Sequence, residues 1–195
     1  MIRFDRHTAL LPIDVQQGFD APRWGRRDNP ALEANGRRLL AAWRAHGLPL
    51  IHVRHDSLDP DSSLHPSRPG NAFRPGFEPL PGEPLLAKSV NAAFIGTDLD
   101  LRLRRLGVRQ LVLFGISTDM CVSTTARVAA NLGYRTVVVA DACAAFDLPD
   151  GDGGIIPAEE VARVHLATLR AEFAEVLDVD TVLAGLAPLP EPAPA

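Results

Sequence analysis

Three side chains in this sequence carry complementary chemistry, each at the end of a separate apolar run: a carboxylate at Asp14, an ammonium at Lys88 and a thiol at Cys121. Sulfur attacks as thiolate, a cation beside it favours that form, and a nearby carboxylate can take and return protons. Together they suit nucleophilic acyl transfer. The surroundings of Cys121 are the most informative. Residues 111–133 (LVLFGISTDMCVSTTARVAANLG) open with an apolar run that stops at Gly115, and helical periodicity resumes at about Thr118. The stretch reads as buried strand, tight turn, helix. Thr118 is the expected N-cap, which puts Cys121 in a first helical turn whose free N–H groups and positive dipole end favour a thiolate. Taken alone, a lone cysteine is more often a small buried core residue than a catalyst, and Cys143 is read that way.

The elements that must position these groups follow from patterning. Residues 8–13 (TALLPI) form a first buried strand ended by Asp14, although Pro12 argues against a central place in a sheet. Residues 15–29 carry glycine, proline, Phe19 and Trp24 and read as a loop able to line a pocket. A helix follows, capped by Asp28 or Asn29 with Pro30 in its first turn. Leu32, Leu39, Leu40 and Trp43 share one face, and Gly47 ends it. Residues 48–53 (LPLIHV) are a second strand, which makes a right-handed parallel unit. Residues 54–84 form a long Pro- and Gly-rich segment, expected as a lid or an oligomer contact.

A third strand, 84–90 (PLLAKSV), carries Lys88 where its apolar run ends; the plain alternative is an edge strand with its lysine in solvent. Thr97 caps a helix bearing Leu99, Leu103 and Leu106 on one face. Beyond the Cys121 segment, residues 135–140 (RTVVVA) are a fifth strand. Residues 147–156 (DLPDGDGGII) form a glycine-rich loop without the spacing of a calcium loop. Pro157 opens a last long helix with Ala162, Leu166, Leu169 and Phe173 on its buried stripe and a structural His165 beside them. A short strand at 175–177 completes the pattern. About six parallel strands alternating with helices specify a three-layer, doubly wound, Rossmann-like α/β domain. The C-terminal ends of such strands share one edge, so Asp14, Lys88 and Cys121 can converge there.

The chain has 195 residues, and 1–186 is read as a single domain followed by a Pro/Ala-rich mobile tail at 187–195. A net charge of -4 argues against a nucleic-acid partner. No apolar run is long enough for a membrane span or shaped as a signal peptide, and two cysteines give no disulfide framework, so a cytoplasmic protein is expected.

The pieces PIDVQQGF around Asp14, AKSVNAAFIGTDLDLRL around Lys88 and GISTDMCVSTTARVAANLGYRTVVVADAC around Cys121 occur in this order. Together they resemble the isochorismatase-like cysteine hydrolase superfamily, which includes nicotinamidases and N-carbamoylsarcosine amidases. The resemblance implies Asp14 as general acid/base, Lys88 as its charge partner and Cys121 as nucleophile. It also implies a cis peptide between Ile116 and Ser117, and an oxyanion hole formed by the backbone N–H groups of Ser117 and Cys121. The implied partners are a small-molecule substrate and further copies of the chain, as a dimer or tetramer; no cofactor is implied.

Metal-binding nicotinamidases carry an Asp-x-His pair after the second strand. Here the region reads IHVRHDSLDP, so no metal site is expected from His52, His55 or His65, and nicotinamide specificity is not implied. Isochorismatases proper cleave a vinyl ether without a thiol, whereas Cys121 favours carbon–nitrogen cleavage of a small amide or N-carbamoyl compound. The alternatives are a vinyl-ether hydrolase and a non-catalytic binding member of the fold. Phe19, Trp24 and Phe94 are the expected apolar walls of the pocket. Gln16, Asn91 and Thr118 are the expected polar groups, with Arg54 or Arg74 available to a substrate carboxylate.

Overall fold

The computed structural model describes residues 2–186, so the tail at 187–195 lies outside the described residues. Its strands are β1 (Thr8–Ile13), β2 (His52–His55), β3 (Leu85–Lys88), β4 (Gln110–Ile116), β5 (Arg135–Ala144), a two-strand hairpin of β6 (Leu148–Pro149) and β7 (Ile155–Ile156), and β8 (Glu175–Leu177). The main sheet has six strands in the order β3-β2-β1-β4-β5-β8, and every neighbouring pair is parallel. The helices are α1 (Leu32–Ala45), α2 (Leu99–Arg105), α3 (Ser123–Asn131), α4 (Ala158–Glu172) and α5 (Val179–Ala184). Helix α1 packs with α5 and α3 with α4 against the sheet, in a three-layer doubly wound arrangement. Leu32, Leu39, Leu40 and Trp43 of α1 are all fully buried, as their spacing requires.

Several local expectations are corrected. Pro12 stands in a central strand. Leu10 and Asp14 donate to the Pro49 and Val53 carbonyls on either side of it, so its missing N–H interrupts the β1–β2 ladder at only one position. Strand β2 begins later than hydropathy suggests, because residues 48–51 meet β1 through the single Leu10–Leu50 bridge, and it continues across the polar Arg54 and His55. Helix α1 starts at Leu32 with Ala31 in the cap position; just ahead of it Asn29 Oδ1 accepts from the Ala31 N–H at 3.2 Å, while its Nδ2 donates to the carbonyls of Asp141 and Cys143 at 3.0 and 2.7 Å. On α4 the fully buried positions are Ala158, Val161 and Leu169; Leu166 and Phe173 are only half-buried. Helix α5 was not anticipated.

Strand β3 is indeed an edge strand, yet Lys88 at its end is buried, 3% exposed. The segment covering residues 54–84 is packed onto the body, with Leu64, Phe73 and Phe77 in the core. It is pinned to residues 16–18 by the Gln16–Phe73 bridge and by the contact of Gly18 with Gly70, where an added Cβ on Gly70 would lie 2.7 Å from the Gly18 Cα. No described helix is long and apolar enough to cross a membrane.

Candidate active site

Each of the three reactive side chains is delivered by the C-terminal end of a strand. Asp14 follows β1 with φ of 52°, a left-handed conformation that aspartate tolerates better than most residues. Lys88 is the last residue of β3 and lies in register with His55 on β2. Cys121 sits in a wide π-type turn, Thr118–Val122, between β4 and α3, in which the Ser117 carbonyl accepts from the N–H groups of Met120 and Val122 at 3.3 and 3.1 Å. Ser117, not Thr118, occupies the cap position, and no side chain caps the turn. The Thr118 hydroxyl is buried and has no hydrogen-bond partner among the described residues. The Ile116–Ser117 peptide is cis.

Gly115 fixes how close β1 and β4 come at this point. Its φ is 135°, and a Cβ there would fall 2.0 Å from the Ile13 carbonyl oxygen. Any side chain would therefore separate the two strand ends.

At the shared edge the Lys88 ammonium meets three partners: Asp14 Oδ2 at 2.5 Å, His55 Nδ1 at 3.2 Å and Cys121 Sγ at 3.3 Å. An ammonium has three hydrogens and no lone pair, so each contact is one in which lysine donates. The other Asp14 oxygen, Oδ1, is buried and has no hydrogen-bond partner among the described residues. A carboxylate oxygen of Asp14 lies within 4.8 Å of the sulfur.

The protonation states follow from burial and charge. Burial by itself pulls the Lys88 pKa down, but the charges of Asp14 and Cys121 outweigh it, and the net displacement is upward. The Cys121 thiol is pushed well above its ordinary range, first by burial and then by the Asp14 charge, with Lys88 opposing. Burial and the Asp14 charge thus bias Cys121 toward the thiol, against the dipole of the turn. His55 is displaced downward by burial and then by Lys88, which keeps its ring neutral.

A cavity of about 140 Å³ opens onto the sulfur. Phe19, Trp24, Leu64 and Met120 give it apolar walls, and Arg23, His55, Ser57, Ser62, Asn91 and Ser117 supply polar atoms. The Phe19 and Trp24 rings lie 4.8 Å apart, with Phe146 behind both at 5.9 and 5.5 Å. Of the anticipated pocket residues, Phe19, Trp24 and Asn91 line this cavity, and three others do not. Gln16 is fully buried and bonds the backbone of His55 and Asn71. Phe94 packs on Tyr134 at 5.9 Å, and Thr118 is buried in its turn.

Arg54 and Arg74 do not reach the cavity either. Arg54 is paired with Asp56, and Arg74 with Asp20 and Glu33. The arginine that lines the cavity is Arg23, which stacks over Trp24 at 5.0 Å and has no ion pair among the described residues. Its place in the 15–29 loop was the available signal. Ser57, Ser62 and Leu64 come from the long 54–84 segment, whose lack of periodicity conceals which residues turn inward.

Asp14, His55 and Cys121 each present a ligand-type atom, mutually within 4.8 Å. The Lys88 ammonium already contacts all three side chains, so the cationic position among them is filled by the protein itself. His52 is bound to Glu83 and His65 to Ser67.

This arrangement can be set against known proteins. The Isochorismatase domain family matches residues 8–181. The chain belongs to the isochorismatase family. Among relatives, the isochorismatase family protein YrdC of Bacillus subtilis is 38% identical, covering 92% of this chain and 96% of its own. A streptothricin hydrolase of Streptomyces noursei is 32% identical over 95% of this chain and 74% of its own. The ureidoacrylate amidohydrolase RutB of Stutzerimonas stutzeri is 35% identical over 96% of this chain and 86% of its own. The crystal structure of an isochorismatase-family hydrolase from Chromobacterium violaceum superposes with a TM-score of 0.90 at 45% identity, covering 94% of this chain and 96% of that one. Membership in the isochorismatase family makes this protein a hydrolase on the doubly wound α/β fold.

Proposed function

We propose that this isochorismatase-family hydrolase cleaves the carbon–nitrogen bond of a small amide or N-carbamoyl compound through a thioester on Cys121. The observation that carries the reading is the Lys88 ammonium, buried and in contact with both the Asp14 carboxylate and the Cys121 sulfur, at a cavity sized for a small molecule. A similarity to a ureidoacrylate amidohydrolase supports carbon–nitrogen chemistry, and one to a streptothricin hydrolase supports hydrolysis of a small molecule.

In the first half-reaction the unpartnered Oδ1 of Asp14 takes the Cys121 proton as sulfur bonds to the carbonyl carbon. Lys88 stabilises the negative charge that passes from carboxylate to sulfur. The N–H groups of Ser117 and Cys121 hold the oxyanion. Asp14 then gives its proton to the nitrogen, the C–N bond breaks, and ammonia or an amine leaves. In the second half-reaction Asp14 takes a proton from water as the hydroxide oxygen adds to the thioester. The C–S bond breaks, the acid is released, and the proton returns to sulfur.

A resting thiol fits this order, because charge appears on sulfur only when a carbonyl is there to receive it. The test is ammonia release from a panel of primary amides and N-carbamoyl compounds, comparing the native protein with Cys121→Ala. The expected result is release that falls at least about 1000-fold in the variant, the scale on which loss of a nucleophile acts. Release unaffected by the substitution would overturn the thioester on Cys121, and no release from any compound would point to a vinyl-ether hydrolase or a binding protein.

A further inference from the structure

The thioester chemistry leaves one polar member of the cluster without a task. His55 lines the cavity beside Cys121, and its Nδ1 lies 3.2 Å from the Lys88 ammonium. Because an ammonium can only donate, Nδ1 must offer its lone pair. A neutral imidazole with its lone pair on Nδ1 carries its hydrogen on Nε2. Lys88 thus selects the tautomer, and the Nε2–H has no partner among the described residues.

The backbone that carries the ring is also held in place. The His55 N–H donates to Gln16 Oε1 at 2.9 Å, and its carbonyl accepts from Gln16 Nε2 at 3.0 Å and Asn71 Nδ2 at 3.1 Å. Gln16 and Asn71 are both buried, so these bonds are shielded from water. Two buried polar residues are committed to fixing one strand end, which is what a positioned donor requires.

We propose that His55 is a substrate-binding residue whose Nε2–H donates to a second acceptor on the substrate, an oxygen or nitrogen a few bonds from the scissile carbonyl. The inference rests on the amide-hydrolase reading of the same cavity and narrows its substrate class. The preferred compounds are small amides that carry a second hydrogen-bond acceptor close to the scissile carbon, not simple alkyl amides. The protonation state supports this role, since burial, Lys88 and the opposing charges of Asp14 and Asp56 leave the ring neutral and a single-sided donor.

The test uses full-length protein carrying Cys121→Ala, so that ligands bind without turning over. Oxamate, which has a second acceptor, is compared by calorimetry with isobutyramide, which has the same branched shape and lacks one. His55→Asn keeps an acceptor near the Nδ1 position and removes the donor at Nε2. His55→Gln places an amide N–H near Nε2. The expected result is that His55→Asn weakens oxamate about threefold to tenfold, the value of one hydrogen bond, and leaves isobutyramide within about twofold. His55→Gln retains oxamate binding. The ¹⁵N spectrum of the histidine-labelled protein at neutral pH should show His55 as the Nε2–H tautomer.

An Nδ1–H tautomer, an equal effect of both variants on both ligands, or no binding of either ligand would overturn the inference. Failure of the thioester reading is seen separately, as turnover that survives Cys121→Ala while the binding pattern of the His55 variants holds.

Discussion

Two histidines three residues apart on β2 serve two charge clusters at opposite ends of the β2–β3 pair, and the clusters differ in one respect. His52 donates from Nε2 to Glu83 at 2.8 Å, and the same carboxylate receives Arg44 Nε and Nη2 at 2.7 and 2.9 Å and the Leu80 N–H at 2.8 Å. Both Glu83 oxygens are occupied. His55, in contrast, shares Lys88 with Asp14 and Cys121, and Asp14 keeps one buried oxygen free. The bidentate Arg44 pairing, with burial opposing it, draws the Glu83 pKa down to about 2 and makes that carboxylate a poor proton acceptor. A cluster whose carboxylate is fully occupied ties the long segment to α1. An incompletely satisfied one, open to a cavity, has an oxygen left for chemistry.

The comparison is broken most severely at Lys88. Lys88→Met leaves the Asp14 carboxylate buried and uncompensated, so stability should fall by about 3–5 kcal/mol in denaturant unfolding, with loss of turnover. Asp14→Asn combined with Lys88→Met should recover most of the stability and none of the activity. Full turnover in the single variant would show that the two clusters are equivalent scaffolding.

A smaller effect is expected at the other end. Glu83→Gln removes charge-assisted bonds from a partly solvated site, and should cost about 1–3 kcal/mol while kcat is unchanged. A fall in kcat to match that at Lys88 would erase the distinction. Smaller still is its contribution to acid stability. The Glu83 pKa is lower folded than its ordinary 4.5, so its stabilisation is whole above about pH 4.5 and is lost as pH falls toward about 2. The difference in stability between native protein and Glu83→Gln should therefore shrink across that window in urea titrations at stepped pH.

Much of this frame was legible beforehand. Strand β1 occupies the stretch that its apolar run marked, because a short buried strand bounded by polar residues leaves little latitude, and β8 falls at the expected residues 175–177. The convergence of Asp14, Lys88 and Cys121 was legible because strand ends in a parallel sheet share an edge. What was not legible depends on contacts between distant segments. Gln16 reads as a pocket residue next to Asp14, yet its amide is spent on residues from the 54–84 segment. His55 reads as one more loop histidine until β2 is seen to extend through it into register with Lys88. The local dipole at Cys121 was legible, but the burial and the Asp14 carboxylate that oppose it come from distant segments.

The glycine at position 115 has a consequence for anyone who would reshape this protein. Asp14 lies one residue beyond the Ile13 carbonyl that Gly115 touches, and the cysteine turn begins three residues beyond Gly115. The spacing between acid and sulfur is thus set by an atom that is missing, a tolerance ground into the backbone that no compensating side chain can restore. Libraries aimed at new substrates should hold residues 13–15 and 115–117 constant and place their diversity in Phe19, Trp24, Leu64 and Met120, where the walls vary without moving the tool.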